Sequence, residues 1–395
     1  MGVHVKSKAL FLLSFASFAF AAHGDEAASD RTPPMGWNSW NAFRCDIDAG
    51  KIKAAADALV ASGLRDAGYV YVNIDDCWQA PQRDREGRLQ ADPGRFPGGI
   101  RALADYVHAR GLKLGLYATP GSRTCANIWD GYPGKLGSLG HEREDARDFA
   151  GWGVDYLKYD WCRADEDGLQ AEAAFARMRD ALRATGRPVF YSIHREPQLP
   201  VDAWRPRIAN AWRTTPDIRP DWGTVMRNLD MQAGLEKFSS PGHWNDPDML
   251  EVGNGALTAE ESRAHFSLWA LLNSPLLLGN DLAKMSEETL RVVGNREVIA
   301  INRDWAGIQG HKLRDDGDLE VWGKPLSDSG FAVILLNRGE TPARLSVSAR
   351  ELDRAARAML RAKNLWSGAS VEVVGRLQAE VARHGVVMYR LAPES

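Results

Sequence analysis

From Thr32 onward, short apolar runs alternate with longer stretches whose apolar residues recur every three or four positions. The runs predict strands over 35–40, 69–76, 113–117, 154–162, 188–193, 209–213, 243–246 and 275–279. The periodic stretches predict helices over 51–67, 96–110, 141–152, 169–185, 222–235, 258–272 and 286–293. Strictly alternating strand and helix implies a parallel sheet with helical crossovers. Eight such units in about 275 residues suit a (β/α)8 TIM barrel, expected over 31–305. An open doubly wound sheet would need a Gly-rich phosphate turn, and none is present. Near Arg303 to Lys312 the pattern changes. Short runs over 319–323, 330–337, 343–347, 371–374 and 385–391 follow, separated by turn residues, with one helical stretch over 351–360. These predict a C-terminal antiparallel β-sandwich domain over 306–395.

Ahead of the barrel the pattern is different again. Lys6 and Lys8 precede an apolar run from Ala9 to Phe20, and small residues follow. This is the layout of a cleaved signal peptide over 1–24 and predicts a secreted or periplasmic protein. The run is too short for a comfortable membrane span, and an uncleaved anchor is the alternative. Four cysteines, Cys45, Cys77, Cys125 and Cys162, in an exported chain predict two disulfides; three pairings are open at this point. No CxxC pair suggests zinc or redox chemistry. A net charge of −3 with 49 basic and 52 acidic residues well mixed gives no basic stripe for nucleic acid.

Candidate chemistry follows from the barrel, because its strand C-termini carry the functional side chains. Those ends supply Trp40, Asp75, Asp76, Tyr117, Lys158, Asp160, His194, Arg213, Asp217, Asp246 and Asp248. So many acids on one rim repel one another unless something binds or protonates them. Lys158 and Asp160, two apart in a strand, point into one space, and the lysine would keep Asp160 ionised and nucleophilic. A buried structural ion pair explains the two equally well when they are read alone. Glycoside hydrolysis needs two carboxylates plus aromatics for sugar faces, and Trp40, Trp78, Trp161 and Trp212 lie beside the acids in sequence. A divalent-metal hydrolase lacks HxH or HExxH ligand spacing, and a Schiff-base role for Lys158 conflicts with the neighbouring acid, which raises its pKa. No cofactor or metal is expected. Trp37 reads as a barrel plug, and Asp246 and Asp248 read as structural turn residues.

These residues also carry a resemblance. Thr32 to Trp40 (TPPMGWNSW), Asn73 to Trp78 (NIDDCW), Gly111 to Tyr117 (GLKLGLY), Lys158-Tyr159-Asp160, Trp212 to Thr215 with Asp217, and Trp244 to Leu250 (WNDPDML) resemble glycoside hydrolase family 27. That family includes α-galactosidases (melibiases) and α-N-acetylgalactosaminidases. The resemblance implies a retaining double displacement with Asp160 as nucleophile and Asp217 as acid/base. It places Asp75 and Asp76 on the sugar's C4 and C6 hydroxyls, Trp40 on the pocket wall, Lys158 on sugar hydroxyls, Arg213 near C2 and Tyr117 beside the nucleophile. It implies the pairings Cys45–Cys77 and Cys125–Cys162. The chain departs after the fifth strand, where Tyr191 to Glu196 (YSIHRE) puts His194 at the place expected for a C2-reading Glu. The implied activity is exo-hydrolysis of terminal α-D-galactosyl residues from a galactosylated oligo- or polysaccharide. A β-L-arabinopyranosidase, an α-N-acetylgalactosaminidase and a non-catalytic sugar-binding protein are the alternatives.

Overall fold

A computed structural model describes residues 1–2, 31–195 and 203–392. The expected signal peptide therefore lies, but for its first two residues, outside the described residues. Eight parallel strands form the first sheet: β1 (Met35–Asn38), β2 (Tyr71–Asn73), β3 (Lys113–Ala118), β4 (Tyr156–Asp160), β5 (Phe190–His194), β6 (Ala211–Arg213), β7 (Trp244–Asp246) and β8 (Leu276–Leu278). From β1 to β7 each strand pairs with the next in sequence, and β1 also pairs with β8. Leu250, just beyond β7, bridges in parallel to Leu278 and closes the ring. Except for β3, the strands are shorter than the runs that predict them. β1 stops at Asn38, and Trp40 opens a short helix over Trp40–Phe43.

The helices start and stop where their end chemistry dictates. Asp48 accepts a hydrogen bond from the Lys51 amide and caps Ala49–Ala61. Thr258 and Glu261 form a reciprocal capping box at the start of Ala259–Leu271. Gly153, at φ +86°, ends Glu142–Trp152 in a left-handed turn that a side chain would strain, and it feeds directly into β4.

Side chains fill the barrel interior in layers. Tyr71, Tyr156, Met249 and Leu277 form a separate apolar cluster with Phe190 packed against it. Tyr156 stacks on Phe190 with centroids 5.1 Å apart and meets Tyr71 edge-on at 5.4 Å. This cluster is a floor. The strands' C-terminal ends stand above it, and a basal cavity bordered by Tyr71 and Phe190 lies below.

The second domain has a six-stranded antiparallel sheet, in the order β14-β13-β16-β11-β10-β9, and a two-stranded sheet of β12 and β15. Their ranges are β9 (His311–Asp316), β10 (Leu319–Pro325), β11 (Phe331–Asn337), β12 (Ala343–Ser348), β13 (Met359–Asn364), β14 (Ser370–Val374), β15 (Arg376–Val381) and β16 (Gly385–Leu391). Strand β11 is buried on both faces. Phe331, Val333 and Leu335 join the sandwich core, while Ala332, Ile334 and Leu336 join the barrel's core. That double burial is why this run reads as continuously apolar.

One expected element is absent. The stretch 351–360, rich in helix formers, holds only a 3-10 turn over Ala349–Leu352 and the first residues of β13. Leu360 and Ala362 face the core while Met359, Arg361 and Lys363 face out, and pairing with β14 and β16 overrides local propensity.

Lys324 of β10 reaches across the junction between the domains. It donates to Asn273 Oδ1 and, at 2.8 Å, to the Ile301 carbonyl. Burial pushes its amine down to about 7. The unfolded chain, with an ordinary lysine, therefore binds more protons than the native chain between about pH 7 and 10.5, so this group makes stability rise with pH across that window. Unfolding midpoints of Lys324→Met should rise less with pH than those of the wild type over the same window. Parallel profiles would show that the amine stays charged inside the fold.

Candidate active site

The C-terminal strand ends open into one cavity of about 920 Å³. Trp40, Asp75, Asp76, Tyr117, Lys158, Asp160, His194, Arg213 and Asp217 all line it, so the residues singled out from the sequence converge. Two of the expected aromatics do not. Trp78 is fully buried with its indole N–H on the Tyr117 carbonyl at 2.9 Å, and Trp212 is fully buried with its own on Asn245 Oδ1 at 2.8 Å. Both are core residues. Trp37 is also core, donating to the Asn280 carbonyl at 2.8 Å. Trp161 does line the cavity, and so does Trp129, which the sequence reading did not single out.

Strand β4 delivers Lys158 and Asp160 to the same cavity, as the two-residue spacing requires. Their pairing differs from the expected one. Lys158 Nζ donates to Asp75 Oδ2 at 2.8 Å, and Asn38 donates to the same oxygen at 2.7 Å. The direct partner of Asp160 is His194. The two are register partners across β4 and β5, and His194 Nδ1 stands 3.1 Å from Asp160 Oδ1. The contact has the distance of an ion pair without the alignment of a hydrogen bond. Tyr117 donates from 3.3 Å to the other Asp160 oxygen. Burial drives the Asp160 carboxyl upward, but His194 and then Lys158 outweigh it and hold the group below the usual carboxylate range. Burial also works against the charge on Lys158, and Asp75 and Asp160 overcome it, so the amine stays protonated.

Asp76 has the opposite environment. It accepts the amides of Ala126 at 2.8 Å and Cys77 at 2.7 Å, yet burial still raises its carboxyl to about 7. Near neutral pH both forms of the carboxyl are therefore populated, so the group can donate as well as accept a hydrogen bond. The disulfides Cys45–Cys77 and Cys125–Cys162, in the pairing the resemblance implies, tie together the loops that carry these groups. Among the described residues, the one cluster close enough to share a metal ion is Cys125, Asp160 and Cys162. Its two sulfurs are bonded to each other, so they offer no thiolate.

On the far side, Arg213 of β6 is clamped between Asp217 Oδ1 at 3.0 Å and Asp248 Oδ2 at 2.9 Å. Asp248 is thus a turn residue, as expected, with a second task. Its left-handed backbone, φ +83°, aims its carboxylate at the arginine, and it also accepts the Ile218 amide at 2.7 Å. Asp246 is buried below it. The Asp217 side chain is 70% exposed and reaches the mouth of the cavity. Asn228 holds its loop from beneath, donating to Thr215 Oγ1 and to the carbonyls of Pro216 and Pro247. What burial Asp217 has pushes its carboxyl up, but Arg213, His194 and Lys158 pull it well below the ordinary range. It is ionised at rest.

An acid held ionised at the mouth faces a second carboxylate on the floor side, in a cavity also lined by cations and further acids. The chain as a whole is similar to known proteins. Residues 32–304 match the family model described as Alpha galactosidase A, and residues 316–391 match the one described as Alpha galactosidase C-terminal beta sandwich domain. The chain belongs to the melibiase family. It is 46% identical over 387 residues to an α-galactosidase A of Cellvibrio japonicus, covering 92% of each chain. Among solved structures, it superposes on α-galactosidase I of Mortierella vinacea with a TM-score of 0.87 at 34% identity, covering 95% of this chain and 99% of that one. An α-galactosidase of Saccharomyces cerevisiae with raffinose superposes with a TM-score of 0.82 at 30% identity, covering 93% and 99%. Within this melibiase, the place where the resemblance expects a C2-reading Glu is filled by His194, turned onto Asp160; Glu196 beyond it lies outside the described residues.

Proposed function

We propose that this melibiase is a retaining, exo-acting α-galactosidase that removes terminal α-D-galactosyl residues from oligo- or polysaccharides. The observation that carries the proposal is the asymmetry of its two carboxylates across one cavity. Asp160 is buried and surrounded by His194, Lys158 and Tyr117, while Asp217 stands at the mouth, where a leaving group would be. In the first step an Asp160 oxygen attacks the anomeric carbon from the floor side. The bond to the leaving oxygen breaks, and that oxygen takes a proton from Asp217. In the second step Asp217 takes a proton from water, the water oxygen attacks the same carbon, and the Asp160 carboxylate leaves. Two inversions give net retention.

Asp75 and Asp76, with Lys158, bind the hydroxyls of the galactose, and Trp40 walls the pocket. Arg213 serves the C2 side and also sets the charge of Asp217. His194 holds Asp160 ionised and borders the same side of the sugar. Because Asp217 rests ionised, catalysis in the first step draws on the small protonated fraction, so kcat/KM should increase as pH is lowered from neutral. It should fall again once Asp160 is protonated. No step calls for a cofactor. The raffinose held by the yeast relative supports a galactosylated oligosaccharide as substrate. The paired disulfides and the basic-then-apolar N-terminus support a secreted or periplasmic location. Among the described residues no helix is long and apolar enough to cross a membrane.

The test is a panel of aryl α-galactoside, α-N-acetylgalactosaminide, β-L-arabinopyranoside and α-glucoside, with the first-formed anomer followed by NMR. The expected result is fastest turnover of the α-galactoside with α-galactose released first. A β-anomer first would refute retention, and preference for another sugar would refute the specificity.

A further inference from the structure

Among the described residues, seven large hydrophobic side chains are exposed: Met1, Trp129, Trp305, Ile308, Met359, Val371 and Val374. Single exposed hydrophobics are ordinary and call for no explanation. Trp129 differs from the other six in its place, since it alone of them lines the cavity that holds Asp160 and Asp217. It is 56% exposed, whereas Asp160 and Tyr117, deeper in the same cavity, are buried. It stands at the mouth.

It is also held there. Trp129 ends the short helix Cys125–Trp129, whose first residue is bonded to Cys162, two positions beyond Asp160. At its other end, Asp130 pairs with Arg44. Thr124 and Asn127 cap the helix reciprocally, and Asn127 donates to the Tyr132 carbonyl at 3.0 Å to fix the turn that follows. The Arg163 guanidinium lies 5.3 Å from the indole centroid. A large ring left more than half open to solvent, yet anchored at one end to the nucleophile's own loop and at the other to Arg44 beyond β1, is pre-organised to receive a ring.

We propose that Trp129 is the platform for the sugar on the leaving-group side of the scissile bond. The aromatic floor below Asp160 is closed, so a galactosyl unit whose anomeric carbon lies at Asp160 must send its leaving group toward the mouth. The apolar face of a pyranose there would lie against the Trp129 indole. This inference rests on the hydrolase reading and adds to it a preference for leaving groups that are themselves sugars. The binding gained on a remote ring positions the bond to be broken.

The experiment compares an α-galactosyl disaccharide with α-galactosyl fluoride, whose leaving group has no ring. For Trp129→Ala, the ratio of kcat/KM for the disaccharide to kcat/KM for the fluoride should fall roughly tenfold, the scale of one lost aromatic contact. The ratio is insensitive to the fraction of folded enzyme. Trp129→Phe should keep most of the wild-type ratio. An unchanged ratio in Trp129→Ala, or an equal fall in the Phe variant, would overturn the platform. If the wild type fails to turn over the fluoride, the hydrolase reading itself falls, which is a distinct outcome.

Discussion

Asp160→Asn should lower turnover of an aryl α-galactoside by on the order of 10⁴-fold, with little change in folding. The amide is isosteric and keeps the contact with Tyr117, but it carries no charge to attack the anomeric carbon. The surroundings sharpen the expectation. His194 and Lys158 stabilise a carboxylate there, and neither gains anything from an amide. In Asp160→Gly, which empties the carboxylate's space, added azide should restore turnover from the floor side, giving β-galactosyl azide, the product of a single inversion. Near-wild-type turnover by Asp160→Asn, or a rescued product of α configuration, would remove Asp160 from the nucleophile's role.

For Asp217→Ala, the loss should depend on the leaving group. Substrates that need protonation, such as a disaccharide, should lose about 10²- to 10⁴-fold, the range of a positioned general acid. The fluoride and activated aryl groups should lose far less in the first step. The pH profile is the second readout. Wild-type kcat/KM should fall as pH rises, because the acid form of Asp217 becomes scarcer, and in Asp217→Ala acting on the fluoride that alkaline fall should vanish. The rise from low pH, set by ionisation of Asp160, should remain. Equal losses for all leaving groups, or a retained alkaline fall, would assign the proton transfer to another group. Asp76, with its carboxyl at about 7 inside the same cavity, would then be the next to test.

Much of this was legible in the sequence, for reasons that can be traced to particular residues. Most barrel-strand residues are buried and the strands read as largely apolar segments, with the acids standing at or just beyond their ends. Trp212 is next to Arg213 along the strand but is not near it in the cavity. With Arg213 facing the barrel's interior, its immediate neighbour must face the helices outside. The salt bridge of Lys158 was hidden for a related reason. Its partner, Asp75, lies on another strand and is brought near by sheet register, which local sequence does not specify. The misplaced helix at 351–360 is a case of propensity overridden by pairing. Trp129 sits in an aperiodic loop, and the available clue was a tryptophan set among Asp130, Gly131 and other turn formers, where burial was improbable.

The closed aromatic floor also imposes an order in time. If the galactosyl unit is bound to Asp160 as proposed, the fragment nearer the mouth must clear before that unit can be released. Whatever next approaches the anomeric carbon must come through the space just emptied. Water reaches that space, and a sugar hydroxyl arriving there would, on the proposed role of Trp129, find its ring received and its oxygen beside Asp217. At high sugar concentration, the roles proposed for Asp160, Asp217 and Trp129 would therefore let the same architecture that cuts a glycosidic bond build one.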